Sequence, residues 1–532
     1  MTRLRSLVLG AVVLTVAGCA VAEAQPADES LVGLDAVWLT EVSIEGSSVF
    51  TPAELDAFTA PYENRLVSFE SLQELRQTLS QAYVDRGYLT SGVVVPEQPV
   101  VDGKVVVQAI ENDLTSIVVD GNRRLRDKPA EKRLEHYLDT PLNVVDLQNG
   151  LRILQKDPLV ERVNAELTPG TRTGESYLHL DITERPPLEM TFGASNDRSA
   201  SVGEDHGIIA LDYRGLIGNG DHLHVLYGGS DGADDAFLSY GVPLTPGGIR
   251  LDFRASDQTA DIVEEPFAAI DITSRIGTAA IGVSRPFIDA PDRTLAGTFT
   301  VERKRSESTL LDAPFSFSPG DVDGKARGSA VALGVEWSRL VGSRVWAARG
   351  SVQQGIDAFD STQRETGPDS DFTLLLGQFD YGQRLGWRDG RLLARGVLQV
   401  TPDPLLAMYK LPVGGRYSVR GYRESLLVRD NGLAVSLEYQ FAAFMDASGQ
   451  RRGKLDLALF TDYGLSVDEE ELLFATEREH LSSVGFGLVW NPLPGLHAEI
   501  YRGYALHDMG GPDESLQDRG IHYELTFRRA FF

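Results

Sequence analysis

Cysteine is almost missing from this 532-residue chain, where Cys19 stands alone. A single thiol excludes a disulfide framework and a thiolate metal centre from the body of the protein. Cationic excess is missing as well. The formal charge is -27, whereas a nucleic-acid surface needs clustered Lys and Arg to displace phosphate counterions. Beyond the N-terminal stretch no run approaches the roughly 18 consecutive apolar residues of a membrane-spanning helix. If the chain enters a membrane it must do so as a closed barrel, because backbone groups facing lipid have to be satisfied internally.

What is present begins with an export signal. Thr2-Arg3-Leu4-Arg5 is basic, Leu7 to Val16 is apolar but too short to span a bilayer, and small residues follow. Two processing sites compete. Ala22-Glu23-Ala24 before Gln25 suits signal peptidase and gives a leader of residues 1–24. Val16-Ala17-Gly18-Cys19 suits a lipoprotein box and would make Cys19 a lipid-bearing N-terminus. Residues 25–37 read as a short linker.

Residues 38–111 and 112–185 read as the same unit twice. In the first, a strand near Leu39–Ile44 precedes Thr51-Pro52-Ala53-Glu54, a hydroxyl N-cap with proline and a capping glutamate at a helix start. A second helix from Ser68 carries Leu72, Leu75, Leu79 and Ala82 on one face. The runs Val93–Val95 and Lys104–Ile110 then follow, with an Asp102-Gly103 turn between them. The second unit repeats the order: strand 115–119, helices 128–138 and 144–156, and a hairpin of 160–167 with 177–182. Such internal repetition is a stronger signal than either unit alone. Glu184-Arg185-Pro186-Pro187 reads as a stiff boundary.

From Leu188 to the end, period-two alternation replaces the helical period. Leu433, Val435, Leu437 and Tyr439 alternate with Ala434, Ser436 and Glu438. A membrane barrel and a soluble β-sandwich both alternate in this way. Connection lengths separate them. Working back from Phe532, long polar loops (506–519, 465–480) alternate with short turns (491–495, 447–453), as long outer loops alternate with short periplasmic turns in outer-membrane barrels. Strand phase also places Leu455, Leu457 and Leu459 toward lipid, so Asp456, Ala458, Phe460 and Asp462 point inward.

Within this pattern, residues 409–431 form an anomalous loop. Its core, "LPVGGRYSVRGYRE", holds Arg416, Arg420 and Arg423 among three glycines and has no hydrophobic period. Val419-Arg420-Gly421-Tyr422 resembles the signature loop of the BamA-like outer-membrane assembly-factor superfamily. Phe460-Thr461-Asp462-Tyr463-Gly464 resembles its F-x-D-x-G wall motif. "AYVDRGYLTSGVVVPEQPVVDGKVVVQAIEN" and "TPLNVVDLQNGLRILQKDPLVERVNAELTPGTRTGESYLHLDITERPP" are similar to the first and second polypeptide-transport-associated (POTRA) domains of one branch, the two-partner secretion transporters (the ShlB/FhaC/HecB haemolysin secretion/activation family). "NGDHLHVLYGG" and "FLSYGVPLTPGG" resemble the start of their barrels.

The resemblance implies a transmembrane β-barrel of 16 antiparallel strands over 188–532, preceded by two α+β POTRA domains. The loop at 409–431 becomes the sixth extracellular loop, folded inward. The implied gating residues are Val419, Arg420, Gly421 and Tyr422, with Arg420 paired to Asp462 in the wall motif of Phe460, Asp462 and Gly464. The implied function is ATP-independent secretion of a cognate β-helical exoprotein across the bacterial outer membrane, with the POTRA domains in the periplasm taking the client at a sheet edge. Further implied partners are outer-membrane lipids and, during biogenesis, periplasmic chaperones and the barrel assembly machinery. An assembly factor that inserts other barrels is the alternative reading, and a solute porin a more remote one. The family often carries an N-terminal plug helix, for which residues 25–37 leave little room. No cofactor, metal or nucleic acid is expected.

Enzymatic signals do not survive their context. Gly228-Gly229-Ser230-Asp231-Gly232 matches G-x-S-x-G in letters only, since a nucleophile elbow needs a strand-to-helix turn and strands flank this one. His222 and His224 read as lumen-facing polar residues, and Asp468-Glu469-Glu470-Glu471 as a solvated outer loop.

Overall fold

The computed structural model describes residues 13–16, 36–365, 367–446, 448, 451, 453–469, 478–510 and 514–531. Apart from Val13–Val16, the expected leader, with Cys19, lies outside the described residues, as does most of the 25–37 linker. The chain divides into two compact units, 1–185 and 186–532.

The first unit holds two modules that share a β-α-α-β-β core, to which the first adds the short strand pair Val37–Leu39 with Arg65–Val67. In the first, the helix Pro52–Thr59 starts as its sequence demands: Thr51 precedes Pro52, and Glu54 accepts the Thr51 N–H at 2.9 Å. The helix Phe69–Asp85 buries Leu72, Leu75, Leu79 and Tyr83 against Val42, Val105 and Val107 of a three-stranded sheet. Gly92–Val94 forms one edge of that sheet. Glu111 accepts from the Ser48 and Val49 N–H groups and from the Tyr83 hydroxyl. Burial pushes this carboxyl up, but the donors outweigh burial and hold it below the usual carboxylate range.

In the second module the helices Asp127–Glu135 and Val144–Leu154 cover a sheet of Asp113–Asp120, Glu175–Glu184 and Val160–Pro169. Its core is nearly all aliphatic, including Leu134, Leu147, Leu151, Leu178 and Leu180. Val13–Val16 adds a parallel strand on the outer edge of Val160–Pro169. Hydrogen bonds tie the modules together, among them Val144 N–H to Gly87 O at 2.9 Å and Asn143 Nδ2 to Arg86 O at 2.9 Å.

Several element bounds differ from the sequence reading. The strand expected over 39–44 is two strands. Val37–Leu39 pairs with Arg65–Val67, Glu41–Glu45 runs parallel to Lys104–Ile110, and the chain changes partners at Thr40, whose N–H goes to Gly103 O. The helix expected to reach residue 138 stops at Glu135. The acidic loop 465–480 shrinks because Leu465 and Val467 still pair with His480 and Arg478.

The second unit is a closed antiparallel barrel of sixteen strands, with the two-residue segment Ala313–Pro314 pairing on its wall. Leu188–Ser195 closes on Ile521–Phe531, paired from Leu188 with Phe531 to Ser195 with Glu524. Strand phase runs as alternation requires. In Leu455–Val467, Asp456, Ala458, Phe460 and Asp462 are buried, while Leu457 and Leu459 are exposed on the outer face. In the last strand His522, Glu524 and Thr526 turn inward, with Leu525 and Phe527 outward. The Gly228–Gly232 segment joins the strands His222–Gly229 and Ala233–Pro243, so no helix follows it. His222 and His224 both lean on Asp212, at 2.9 and 3.1 Å.

Candidate functional site

The chain between the strands Gly390–Val400 and Asn431–Ala442 turns into the barrel. Its stem is a short hairpin, Leu411–Val413 with Leu427–Arg429. Cations grip the stem from both sides. Lys410 Nζ reaches Asp468 at 2.8 Å and Asp430 at 3.3 Å, and Arg429 reaches Asp468 at 3.0 Å and Glu479 at 2.9 Å. Asp468, expected to be solvated, is therefore part of this clamp. Glu470 and Glu471 lie outside the described residues.

Beyond the stem, Arg420 sits at the deepest contact and is 2 % exposed. Its guanidinium binds Asp462 through two parallel bonds, Nε to Oδ2 at 2.8 Å and Nη2 to Oδ1 at 2.9 Å, while its backbone N–H reaches Oδ2 at 3.0 Å. Nη2 also donates to Ser436 Oγ at 3.0 Å, and Nη1 donates to Glu438. The planar face lies 3.6 Å from the Phe460 ring centroid and 4.9 Å from that of Tyr501, close enough for cation–π attraction. A buried guanidinium is tolerable only when paired and hydrogen-bonded. Here nearly all its donors are used.

The other motif residues explain how the loop gets so close. Tyr422 hydroxyl donates to the carbonyls of Ser482 (3.0 Å) and His507 (2.9 Å). Val419 is fully buried with Val413, Tyr422, Leu427 and Leu481. Gly464 makes the space for it, since a Cβ there would stand 2.7 Å from Val419 Cγ2 and 2.6 Å from Val413 Cγ1. Gly421 has φ +96° and packs on Gly503, where a Cβ would meet Gly421 N at 2.5 Å. Glycine on both sides lets the backbones touch. Thus Phe460, Asp462 and Gly464 supply, in order, a ring under the arginine, its counter-charge, and room for the valine beside it.

All seven residues expected from sequence converge on one place. Several others were missed. Glu438 and Ser436 complete the Arg420 shell, and Tyr501 holds Glu438 through a hydroxyl bond of 3.0 Å. Arg416 pairs with Glu499 and Glu524. Arg423 pairs with Asp518 and, at 2.8 Å, with Glu264. Each arginine of the loop therefore pulls on a different part of the barrel. The inward phase of Ser436 and Glu438 was available from alternation, but nothing in the sequence said how deep the loop descends. Chemically, the cluster is a set of charged contacts between a loop and a wall.

Comparison with known proteins agrees with this architecture. The model of the haemolysin secretion/activation protein ShlB/FhaC/HecB family matches residues 174–489, and that of the ShlB-type POTRA domain matches residues 37–112. The outer membrane transporter CdiB of Escherichia coli is 24% identical over 439 residues, spanning 79% of this chain and 72% of that protein. The haemolysin transporter protein ShlB of Serratia marcescens is 22% identical over 407 residues, spanning 74% and 70%. Among solved structures, CdiB from Escherichia coli superposes with a TM-score of 0.69 at 19% identity, covering 95% of this chain and 93% of that one. CdiB from Acinetobacter baumannii gives 0.64 at 18% identity, covering 94% and 91%.

Proposed function

Because this chain belongs to the ShlB/FhaC/HecB haemolysin secretion/activation family and is an outer-membrane transporter of the two-partner kind, we propose that it exports one dedicated exoprotein through the barrel, with the loop 409–431 as the gate. The client arrives unfolded in the periplasm and pairs its backbone with an exposed sheet edge of the POTRA modules. The runs Val93–Val95 and Val160–Leu167 are the candidate edges, carried by the strands Gly92–Val94 and Val160–Pro169. The second edge has the better support, because a strand from the expected leader pairs along it and removal of that leader would leave it open. Displacing the loop then opens the path, and folding outside makes export one-way without ATP.

The observation that carries this reading is the buried, two-bond contact of Arg420 with Asp462. It fixes the loop within the barrel by groups that an entering chain can replace one at a time. The test is a secretion assay. Deleting the gene and comparing surface proteomes identifies the client, and plasmids carrying Arg420→Asp, Asp462→Arg or both are then returned. Each single variant should lose most secretion, because removing one partner of a buried pair costs about 3–5 kcal/mol, and the double swap should restore part of it. No rescue by the swap contradicts direct pairing as the gate. A general fall in outer-membrane barrels on deletion would instead indicate an assembly factor.

A further inference from the structure

Three long neighbouring strands, Ile272–Asp289, Arg293–Leu310 and Lys325–Val341, carry a change of character on their outer face. In register, Phe299 stands between Val283 and Leu333, and Val301 between Ile281 and Val331. This is the lipid-facing belt. The next outward positions are charged: Arg303 beside Ala279 and Ser329, Arg305 beside Gly277 and Arg327, Glu307 beside Arg275 and Lys325. Arg275, Arg303, Arg305, Lys325 and Arg327 are all exposed.

Local carboxylates neutralise only part of this patch. Asp257 accepts from Arg275 at 2.7 Å, Asp360 lies 3.9 Å from Arg327, and Glu307 stands in register between Arg275 and Lys325, three carboxylates against five cations. Among the described residues, Arg303, Arg305 and Lys325 make no side-chain hydrogen bond or ion pair. Arg305 lies flat against the wall, since a Cβ on Gly277 would stand 2.9 Å from its Nε. Such a concentration of unpaired cations runs against the sign of a chain carrying -27.

Its height identifies the occupant. Successive outward rows on a strand are about 6.6–6.8 Å apart, so Arg303 begins one row above the last apolar residue. The strand is there heading toward the loop 311–324, at the end of the barrel opposite Leu188 by strand alternation. That is the headgroup level of the outer leaflet. We propose that Arg303, Arg305 and Lys325, assisted by Arg275 and Arg327, bind the phosphate groups of outer-leaflet lipid headgroups. Planar guanidinium forks suit phosphate oxygens, and long stems allow the charges to reach up from the apolar belt. A bound lipid would fix the barrel's height and rotation on this side.

The test uses full-length protein in detergent and native mass spectrometry, with diphosphorylated lipid A and the same lipid stripped of its phosphates as probes. The wild type should retain the phosphorylated lipid, and a R303Q/R305Q/K325Q variant should lose affinity on the order of 100-fold. A R303K/R305K variant keeps the charge and should still retain the lipid. It also serves if the triple variant fails to fold, because its loss of the lipid would contradict the electrostatic basis. Equal retention by wild type and triple variant, or equal retention of the phosphate-free lipid, overturns the proposal.

Discussion

The two units of this protein bury opposite things. In the N-terminal modules the interior is mostly leucine and valine, as around Leu147 and Leu151, and the only buried charged residue among the described ones there is Asp157, which pairs with Arg133. On the barrel strands most large aliphatic side chains face outward, and the largest fully buried side chain among the described residues is Arg420. The same physics acts on both. Apolar groups go where water is not, which is the centre of a module and the outside of a barrel. What differs is how position is specified. A module is held by volume, whereas the inner loop is held by charge pairing and by glycines that remove volume.

Substitutions that alter volume in opposite directions should break the two regions in turn. The largest effect is expected for Leu151→Ala, which leaves an enclosed cavity and should cost about 2–5 kcal/mol. Hydrogen exchange in the full-length protein reads it as lost protection across the helix Val144–Leu154, with the barrel amides unchanged. Gly503→Ala adds volume instead, against the Gly421 backbone. It should cost about 1–3 kcal/mol through overpacking, read at the Arg420 amide, whose N–H is held by Asp462. Unchanged exchange at Arg420 would mean that the glycine contact does not position the loop.

Much of the fold was legible because it rests on short-range periodicity. The leucine spacing from Leu72 to Leu79 gave a helix face, and the alternation through Leu455–Asp462 gave the correct inward set. Thr51-Pro52-Ala53-Glu54 marked a helix start with its own chemistry. The change of partner at Thr40 was not legible, since it depends on a carbonyl at Gly103 more than sixty positions away. The site divides in the same way. Arg420 and Asp462 were readable as motif residues with a defined strand phase. Arg416 with Glu499 and Glu524, and Arg423 with Glu264 and Asp518, exist only once the barrel has closed and the loop has entered it. No local pattern encodes such contacts.

The same contrast bears on the proposed gate. Opening a module would expose an apolar core to water, but freeing the loop exchanges one set of polar partners for another. Under the proposed function a translocating chain would supply such partners, so the barrel would yield while the modules stay folded. Single-channel conductance in planar bilayers tests this most directly, comparing the wild type with Arg420→Ala. Freed from Asp462 and Glu438, the loop should leave the lumen more often, giving larger and longer openings in the variant. Identical conductance and open time in the two proteins would contradict the claim that this arginine holds the gate.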